Sequence, residues 1–263
     1  MCAGGFQDEE GVRVSDSVIA SLVIIGDEIL SGRTRDANLS YLANWLNEAG
    51  IQLAEVRVVP DVTAEIVEAV NALRPKYDYV FTTGGIGPTH DDITVDSIAA
   101  AFGVPVVTHP EAYKRMEAYY GKEKFTEARK RMTRVPEGAE LVDNPVSIAP
   151  GIRIENVFIM AGVPKIMQAM LEDIRPHLRV GRKVWTQSLT VHAAESKIAD
   201  ELGIIQDANP DTSIGSYPFY TGGYGTKIVV RSADTDAVAK AMDAVQALCF
   251  AKRFETDELG ALD

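Results

Sequence analysis

Cysteine is nearly absent: Cys2 and Cys249 are the only two in 263 residues, and neither sits in a CxxC or other metal-ligand spacing. That argues against a disulfide framework and a cysteine zinc site, and it fits a reducing cytoplasm. Long apolar runs are missing as well. No segment approaches about eighteen consecutive apolar residues, and Met1 to Ser15, with Asp8, Glu9 and Glu10, has no signal-peptide core. The expectation is a loose tail over residues 1–15 and no membrane partner. Positive charge is short too, with 26 Lys and Arg against 38 Asp and Glu and a net charge of −12. Nonspecific nucleic-acid binding is thereby disfavoured, while a local pocket for an anionic small molecule is not. The chain also lacks a dinucleotide fingerprint after its first predicted strand and a Walker-type lysine after its glycines, which disfavours a dehydrogenase or a P-loop kinase.

What is present is an ordinary globular composition, 46% hydrophobic and 24% charged, with length for one large or two modest domains. The chain is organised around Thr82-Thr83-Gly84-Gly85-Ile86-Gly87-Pro88-Thr89-His90-Asp91-Asp92. Tyr77 to Phe81 before it reads as a buried strand, and Ile93 to Phe102 after it as a helix. Three glycines in four positions let the backbone approach a ligand closely, and successive N–H groups in such a turn make an anion-binding concavity. The carboxylates of Asp91 and Asp92 beside a phosphate site suggest a divalent cation, Mg²⁺ or another, between the two sets of charge. The plainer reading is a tight turn leading into an acidic helix N-terminus.

Along the chain, Val18 to Ile25 reads as a central parallel strand ending at Gly26-Asp27-Glu28. Leu39, Leu42, Ala43, Leu46 and Ala49 fall on one helical stripe, with Asp36 to cap it and Gly50 to stop it. Val56 to Val59 supply a second strand, Thr63 opens a helix, and Tyr77 to Thr83 return as the third strand. This alternation predicts a doubly wound α/β domain with a mostly parallel sheet, whose ligand site lies beyond the carboxyl ends of the strands. Gly26-Asp27-Glu28, Pro60-Asp61 and the glycine stretch should therefore converge on one cleft. Val104 to Val107 reads as a short strand and Pro110 to Tyr120 as a helix. Lys122 to Arg134, rich in Lys and Arg, reads either as a solvated helical face or as an electropositive rim for an anionic substrate. A hairpin is expected over Ile152 to Met160 and a helix over Lys165 to Ile174, with Gly181-Arg182-Lys183 as a linker. The predicted organisation is an α/β domain over 16–178, a small β-α-β-β-α unit over 179–250, and an acidic tail over 251–263. Tyr217, Tyr220 and Tyr224 lie in a glycine-rich loop that reads as a long turn or as a stacking surface for a base or pterin.

For chemistry, Asp91 and Asp92 are the metal candidates, with Asp61 and Glu28 across the cleft. The reaction they suit is hydrolysis of a pyrophosphate bond: loop N–H groups hold one phosphate and a carboxylate accepts the proton from water. His90 is a candidate base or phosphate ligand, although a lone loop histidine is more often neither. Asp27 is equally well read as a backbone hydrogen-bonding residue, and Asp61 as the cap of the following helix.

At these residues the chain resembles the MoaB/Mog-like molybdopterin-binding superfamily, and more closely the N-terminal region of CinA-type proteins. The resemblance is carried by Gly26-Asp27-Glu28-Ile29-Leu30-Ser31-Gly32, Asn38, the Thr82 to Asp92 stretch, Pro136-Glu137-Gly138-Ala139, Asn144-Pro145, Ala149-Pro150-Gly151 and Gly162-Val163-Pro164, in the usual order. It covers Ser17 to Leu178. It implies a three-layer α/β domain, and the small C-terminal unit resembles the KH-like appendage of the same family. The vertebrate FAD synthase N-terminal domain belongs to the same circle. For Mog-type relatives the resemblance implies molybdopterin binding with function assigned to the aspartates at Asp61 and Asp92; for CinA-type relatives it implies metal-dependent hydrolysis of ADP-ribose or related dinucleotides. Together with the reading of the residues themselves, it makes Asp61, Asp91, Asp92 and His90 the candidate catalytic residues. Ligand contacts fall on Gly26, Glu28, Asn38, Thr83, Gly84, Gly85, Gly87, Pro88, Thr89, Gly162, Val163 and Pro164, and metal binding on Asp91 and Asp92. A homo-oligomer is implied, and no amidase activity. Ala161 stands where the family usually has proline, and Ser147-Ile148 where it usually has Gly-Thr.

Overall fold

The computed structural model describes residues 18–220 and 223–262. The N-terminal tail expected over 1–15, together with Thr221 and Gly222 of the aromatic loop, lies outside the described residues. The chain divides into two compact units, Met1–Gly181 and Arg182–Asp263.

The first unit starts with β1 (Val18–Ile25), the single turn α1 (Asp27–Leu30), α2 (Asn38–Glu48), β2 (Ile51–Val59), α3 (Thr63–Leu73) and β3 (Tyr79–Thr83). It continues with α4 (Thr94–Phe102), β4 (Val106–Thr108), α5 (Pro110–Tyr120), α6 (Glu127–Arg131), β5 (Arg134–Pro136) and β6 (Glu140–Val142). Then come β7 (Gly151–Ile154), β8 (Val157–Met160) and α7 (Pro164–Ile174). Six strands form one sheet in the order β2-β1-β3-β8-β7-β6. The first four run parallel, and β7 and β6 add antiparallel at one edge. A mostly parallel, doubly wound sheet was the expectation, and this is that architecture.

The apolar run of β1 is explained by burial on both faces. Ala20, Leu22 and Ile24 join Leu42 and Leu46 of α2 and Met167, Met170 and Leu171 of α7 in one core layer. Val23 and Ile25 join Ile66, Val70 and Leu73 of α3 and Ile98 of α4 in the other. Alternation of side chains across a strand makes a continuous apolar run necessary when helices cover both faces. Phe81 and Phe158, both fully buried, stack across β3 and β8 with ring centroids 5.3 Å apart. Each fully buried side chain of this size contributes about 1.5–3 kcal/mol.

Element ends follow local chemistry. Asp36 accepts a 2.8 Å hydrogen bond from the Leu39 amide at the start of α2, and Pro164 occupies the first turn of α7, where its missing N–H costs nothing. Two expectations change. The second strand begins at Ile51 rather than Val56, because its early polar residues Gln52 and Glu55 lie on an edge strand that alternates between buried and exposed. The basic stretch 122–134 is no continuous helix: the Thr126 hydroxyl caps the five-residue α6, and Arg134 to Pro136 become β5, paired antiparallel with β4.

The second unit contains β9 (Trp185–Val191), α8 (Ala199–Ala208), β10 (Ser213–Phe219), β11 (Gly225–Ser232) and α9 (Thr235–Lys252). Its antiparallel sheet has the order β10-β11-β9. Leu189, Val191, Ile228 and Val230 face Leu202 of α8 and Val238, Met242 and Val245 of α9, which places both helices on one face. The acidic C-terminal stretch runs along the free edge of β9: amides of Asp257 and Gly260 donate to the carbonyls of Thr190 and Ser188, and the His192 amide donates to Glu255. Among the described residues no helix is long and apolar enough to cross a membrane.

Candidate active site at the carboxyl ends of the parallel strands

Strand order reverses at β1, because β2 lies on one side of it and β3 on the other. Loops leaving β1 and β3 diverge there, and such a crevice is where open α/β sheets bind ligands. The loops leaving β2 and β8 open at the same end. Contact between them is intimate. The Gly84 amide donates to the Met160 carbonyl at 3.1 Å, and the place a Gly162 Cβ would occupy is 3.3 Å from the Gly84 Cα.

Gly84 and Gly85 require glycine for two reasons. Their φ angles are 105° and 66°, in the region that L side chains rarely adopt. A Cβ on Gly84 would stand 2.1 Å from the Ile25 carbonyl oxygen, and one on Gly85 2.2 Å from the Thr94 hydroxyl. Thr94, buried at the head of α4, clamps this turn by donating its hydroxyl to the Gly84 carbonyl at 2.9 Å and its amide to the Gly85 carbonyl at 3.0 Å. Sequence reasoning missed Thr94; a hydroxyl residue at the first helical position after a glycine turn was the available signal.

Asp92 has a different place from the one expected. One carboxylate oxygen accepts the Gly87 amide at 2.7 Å; the other accepts the Thr89 amide at 2.7 Å and the Thr89 hydroxyl at 2.5 Å. It braces the outer half of the loop from within. Asp91 is turned outward and held below the ordinary carboxylate range, first by the Thr89 hydroxyl and then by its own backbone N–H. One hydroxyl proton serves two neighbouring carboxylates, and the short geometry gives it to Asp92. His90 projects into solvent, its side chain 95% exposed, with Asp91 at 4.0 Å.

Asp61 does not cap α3, whose N-cap is Val62 without a side-chain bond. Its carboxylate reaches across the crevice and accepts the Asp27 amide at 3.0 Å. Burial, ahead of the nearby charges of Asp27, Glu28 and Asp91, raises its pKa above the usual carboxylate value. Four acids therefore gather around one edge of the glycine loop. Glu28 folds back over Gly26, its carboxylate within 2.6 Å of where a Gly26 Cβ would stand. Among the described residues no three His, Cys, Asp or Glu side chains are placed to hold a metal ion by themselves.

A cavity of about 540 Å³ lies over the loop. Gly84, Gly85, Gly87, Pro88 and Asp92 form its floor, and Gly162, Val163 and Pro164 with Glu28 form one side. Ile86, Met132, Ile166 and Met170 supply an apolar wall that sequence reasoning did not single out. Gly26, Thr89, His90, Asp91 and Asp61 do not line it. Asn38 and Thr83 line a smaller lobe beside it. None of the basic residues of 122–134 reaches the cavity; Arg134 pairs with Asp96, Lys130 with Glu127, and Arg129 lies over Tyr120. That stretch contributes Met132 to the cavity and none of its cations. A second cleft of about 380 Å³, bounded by Arg115, Asp143 and Glu172, shares only Asn144 with the first and holds none of the glycine loop.

Residues 21–180 match the family model described as "Probable molybdopterin binding domain". The chain belongs to this family, on its CinA-like side. Residues 183–258 match a second model, the middle domain of FAD synthase. A protein of Archaeoglobus fulgidus is 35% identical over 232 residues, which cover 88% of this chain and 98% of that one. A CinA-like protein of Salinibacter ruber is 30% identical over 240 residues, covering 87% of this chain and 58% of the relative. The crystal structure of CinA from Thermoplasma acidophilum is similar at a TM-score of 0.58 and 34% identity, over 62% of this chain and 99% of that one. The expected resemblance to the molybdopterin-binding superfamily, on its CinA-type side, is confirmed by these findings.

Proposed function

We propose that this chain is a divalent-metal-dependent nucleotide pyrophosphatase acting on ADP-ribose, FAD or a related dinucleotide. The observation that carries the reading is the juxtaposition of the tight turn at Gly84 to Gly87, whose Gly85 and Ile86 amides have no hydrogen-bond partner among the described residues, with the acids Asp61, Asp91, Asp27 and Glu28. Amide groups at a rigid turn stabilise phosphate charge without reorganising. The match of residues 183–258 to a domain of FAD synthase supports a nucleotide ligand.

The acids fit a hard cation of the Mg²⁺ type, which keeps waters and substrate phosphates in most positions and takes only one or two protein carboxylates. When bound, the ion neutralises charge developing on the phosphates. Asp91 is the residue to hold it, because Asp92 is committed to the loop and Asp61 is needed as a base. For the reaction itself, a water oxygen attacks one phosphorus, the bond from that phosphorus to the bridging oxygen breaks, and the second phosphate leaves as a monoester. Asp61, whose pKa is raised by burial, accepts the proton of water on its unbonded oxygen.

The alternative is a molybdopterin-binding protein of molybdenum cofactor biosynthesis without independent turnover. The apolar wall of Ile86, Met132, Ile166 and Met170, which suits a flat heterocycle, favours it together with the family membership. A nucleotide sensor that does not turn its ligand over is the third reading, distinguished by binding without hydrolysis. Phosphate-coupled hydrolysis of ADP-ribose, FAD and coenzyme A with Mg²⁺, Mn²⁺ or Co²⁺ tests the enzyme. Turnover lost in Asp61→Asn and weakened in Asp91→Asn supports it; no turnover with any metal, with pterin retained on purification, moves the assignment to molybdopterin binding.

A further inference from the structure

Two buried polar atoms at the edge of the site have nothing to bind. The Asn38 side chain is 4% exposed and donates its amide to the Gly162 carbonyl at 2.8 Å, yet its Oδ1 has no hydrogen-bond partner. Thr83, 1% exposed at the end of β3, has an unpartnered hydroxyl. Buried polar atoms are nearly always paired, so two orphans at one place ask for a missing group. Both residues line a lobe of about 90 Å³, and this lobe shares Glu28, Thr34, Gly162 and Pro164 with the larger cavity over the glycine loop.

One Nδ2 hydrogen of Asn38 is used on Gly162, so the unmet capacity at Asn38 is chiefly its Oδ1 acceptor; Glu28 offers only acceptors when ionised, the Thr83 hydroxyl both donates and accepts, and Arg35 also lines the lobe. The two orphaned atoms call for a small group that donates to Asn38 Oδ1 and pairs with the Thr83 hydroxyl. A sugar hydroxyl pair does both, and in a nucleotide the same sugar carries the phosphate that can lie on the glycine loop.

We infer that the Asn38–Thr83 lobe is a subsite for the vicinal diol of a pentose whose phosphate lies on the glycine loop. The inference rests on the phosphate-binding reading of that loop and adds a selectivity for ribose over deoxyribose, set by Asn38 Oδ1 and Thr83 Oγ1. Thr82 is a built-in control. Its hydroxyl is also buried and unpartnered, but successive strand residues point to opposite faces and Thr82 lines neither cavity.

The test is calorimetric binding of ADP, 2′-deoxy-ADP and inorganic pyrophosphate to the full chain in Mg²⁺, with Thr83→Val and Thr82→Val. The parent should prefer ADP over its deoxy form by about five- to tenfold, the worth of one net hydrogen bond. Thr83→Val should abolish that preference while keeping pyrophosphate affinity, and it should not lower the melting temperature, because it removes an unpaired hydroxyl. Thr82→Val should keep the preference. If pyrophosphate binds but the parent does not distinguish the two nucleotides, or if the preference survives in Thr83→Val, the lobe holds water and the inference is wrong while the loop reading stands. If none of the three probes binds, the loop reading fails and the subsite fails with it.

Discussion

Replacing Asp92 by asparagine is the perturbation that best separates structure from chemistry at this site. The carboxylate receives three hydrogen bonds from its own loop, at 2.7 Å from the Gly87 amide and at 2.7 and 2.5 Å from the amide and hydroxyl of Thr89. Asparagine has one oxygen. If it keeps the Thr89 pair, its NH₂ faces the Gly87 N–H and two donors confront each other; if it turns over, both Thr89 donors lose their acceptor. A hydrogen bond to a charged acceptor is worth about 1.5–3 kcal/mol, but these three share one part-exposed group and do not add fully. The expected loss is about 2–3 kcal/mol, a fall in melting temperature of about 5–10 °C for a unit of this size. Thermal unfolding and amide exchange at Gly87 and Thr89 measure it. In a double-mutant cycle with Thr89→Val the two losses should be strongly sub-additive. The reasoning is refuted if Asp92→Asn keeps its melting temperature and amide protection while hydrolysis disappears, for then Asp92 acts on the substrate and not on the loop.

Ile148 has a φ of 63°, a conformation that costs a β-branched residue about 1–2 kcal/mol. Ile148→Gly should therefore be more stable than Ile148→Ala by about 1 kcal/mol in denaturant unfolding, the reverse of the order at an ordinary position. The pKa of Asp61 is raised in the folded state, so the fold binds that proton more tightly than the unfolded chain and its ionisation costs stability above the carboxylate range. Asp61→Asn should raise the melting temperature slightly at pH 7, and the gain should vanish near pH 3, where aspartate is protonated in both states. His192 is raised by its hydrogen bond to Asp257, 2.7 Å away, and by the charges of Asp257 and Glu255. Its contribution is present below the ordinary histidine pKa and is lost as pH rises through the folded value. Asp257→Asn should thus speed amide exchange at residues 257 and 260 more at pH 6 than at pH 9, after correction for intrinsic rates.

The layered fold was legible because its signals are local and repeated. Val18 to Ile25 is apolar throughout, and only a strand with helices on both faces demands that; the stripe Leu39, Leu42, Leu46 demands a helix on that sheet. The convergence of three loops followed from strand order alone. The role of Asp92 did not. Whether a carboxylate after a glycine loop faces a cation or turns back on the loop amides depends on backbone directions over the six residues from Gly87 to Asp92 that no periodicity encodes. Thr94 and the apolar wall were hidden for the same reason, since Met132 and Met170 come from elements that meet only in three dimensions. Asp61 was read with equal weight as a cap and as a site residue, and the cap was excluded only by the placement of its carboxylate on the Asp27 amide.

The division of labour among the acids also constrains mechanism. A carboxylate that accepts three loop donors has most of its lone pairs filled and its position fixed, which suits shaping a phosphate cradle and ill suits shuttling a proton. Asp61 is the opposite case: one oxygen is anchored by the Asp27 amide, the other has no partner among the described residues, and burial with neighbouring negative charge makes it more basic than an ordinary aspartate. A cation arriving among Asp27, Glu28, Asp61 and Asp91 would relieve that repulsion and lower the Asp61 pKa, so metal affinity and Asp61 ionisation must be linked. Binding of Mg²⁺ should weaken as pH falls through the raised Asp61 value, and Asp61→Asn should flatten that dependence without abolishing phosphate binding to the braced loop. Pyrophosphate affinity measured against pH in the presence of Mg²⁺, in the parent and in Asp61→Asn, distinguishes this linkage from titration of the phosphate itself, which both proteins would share.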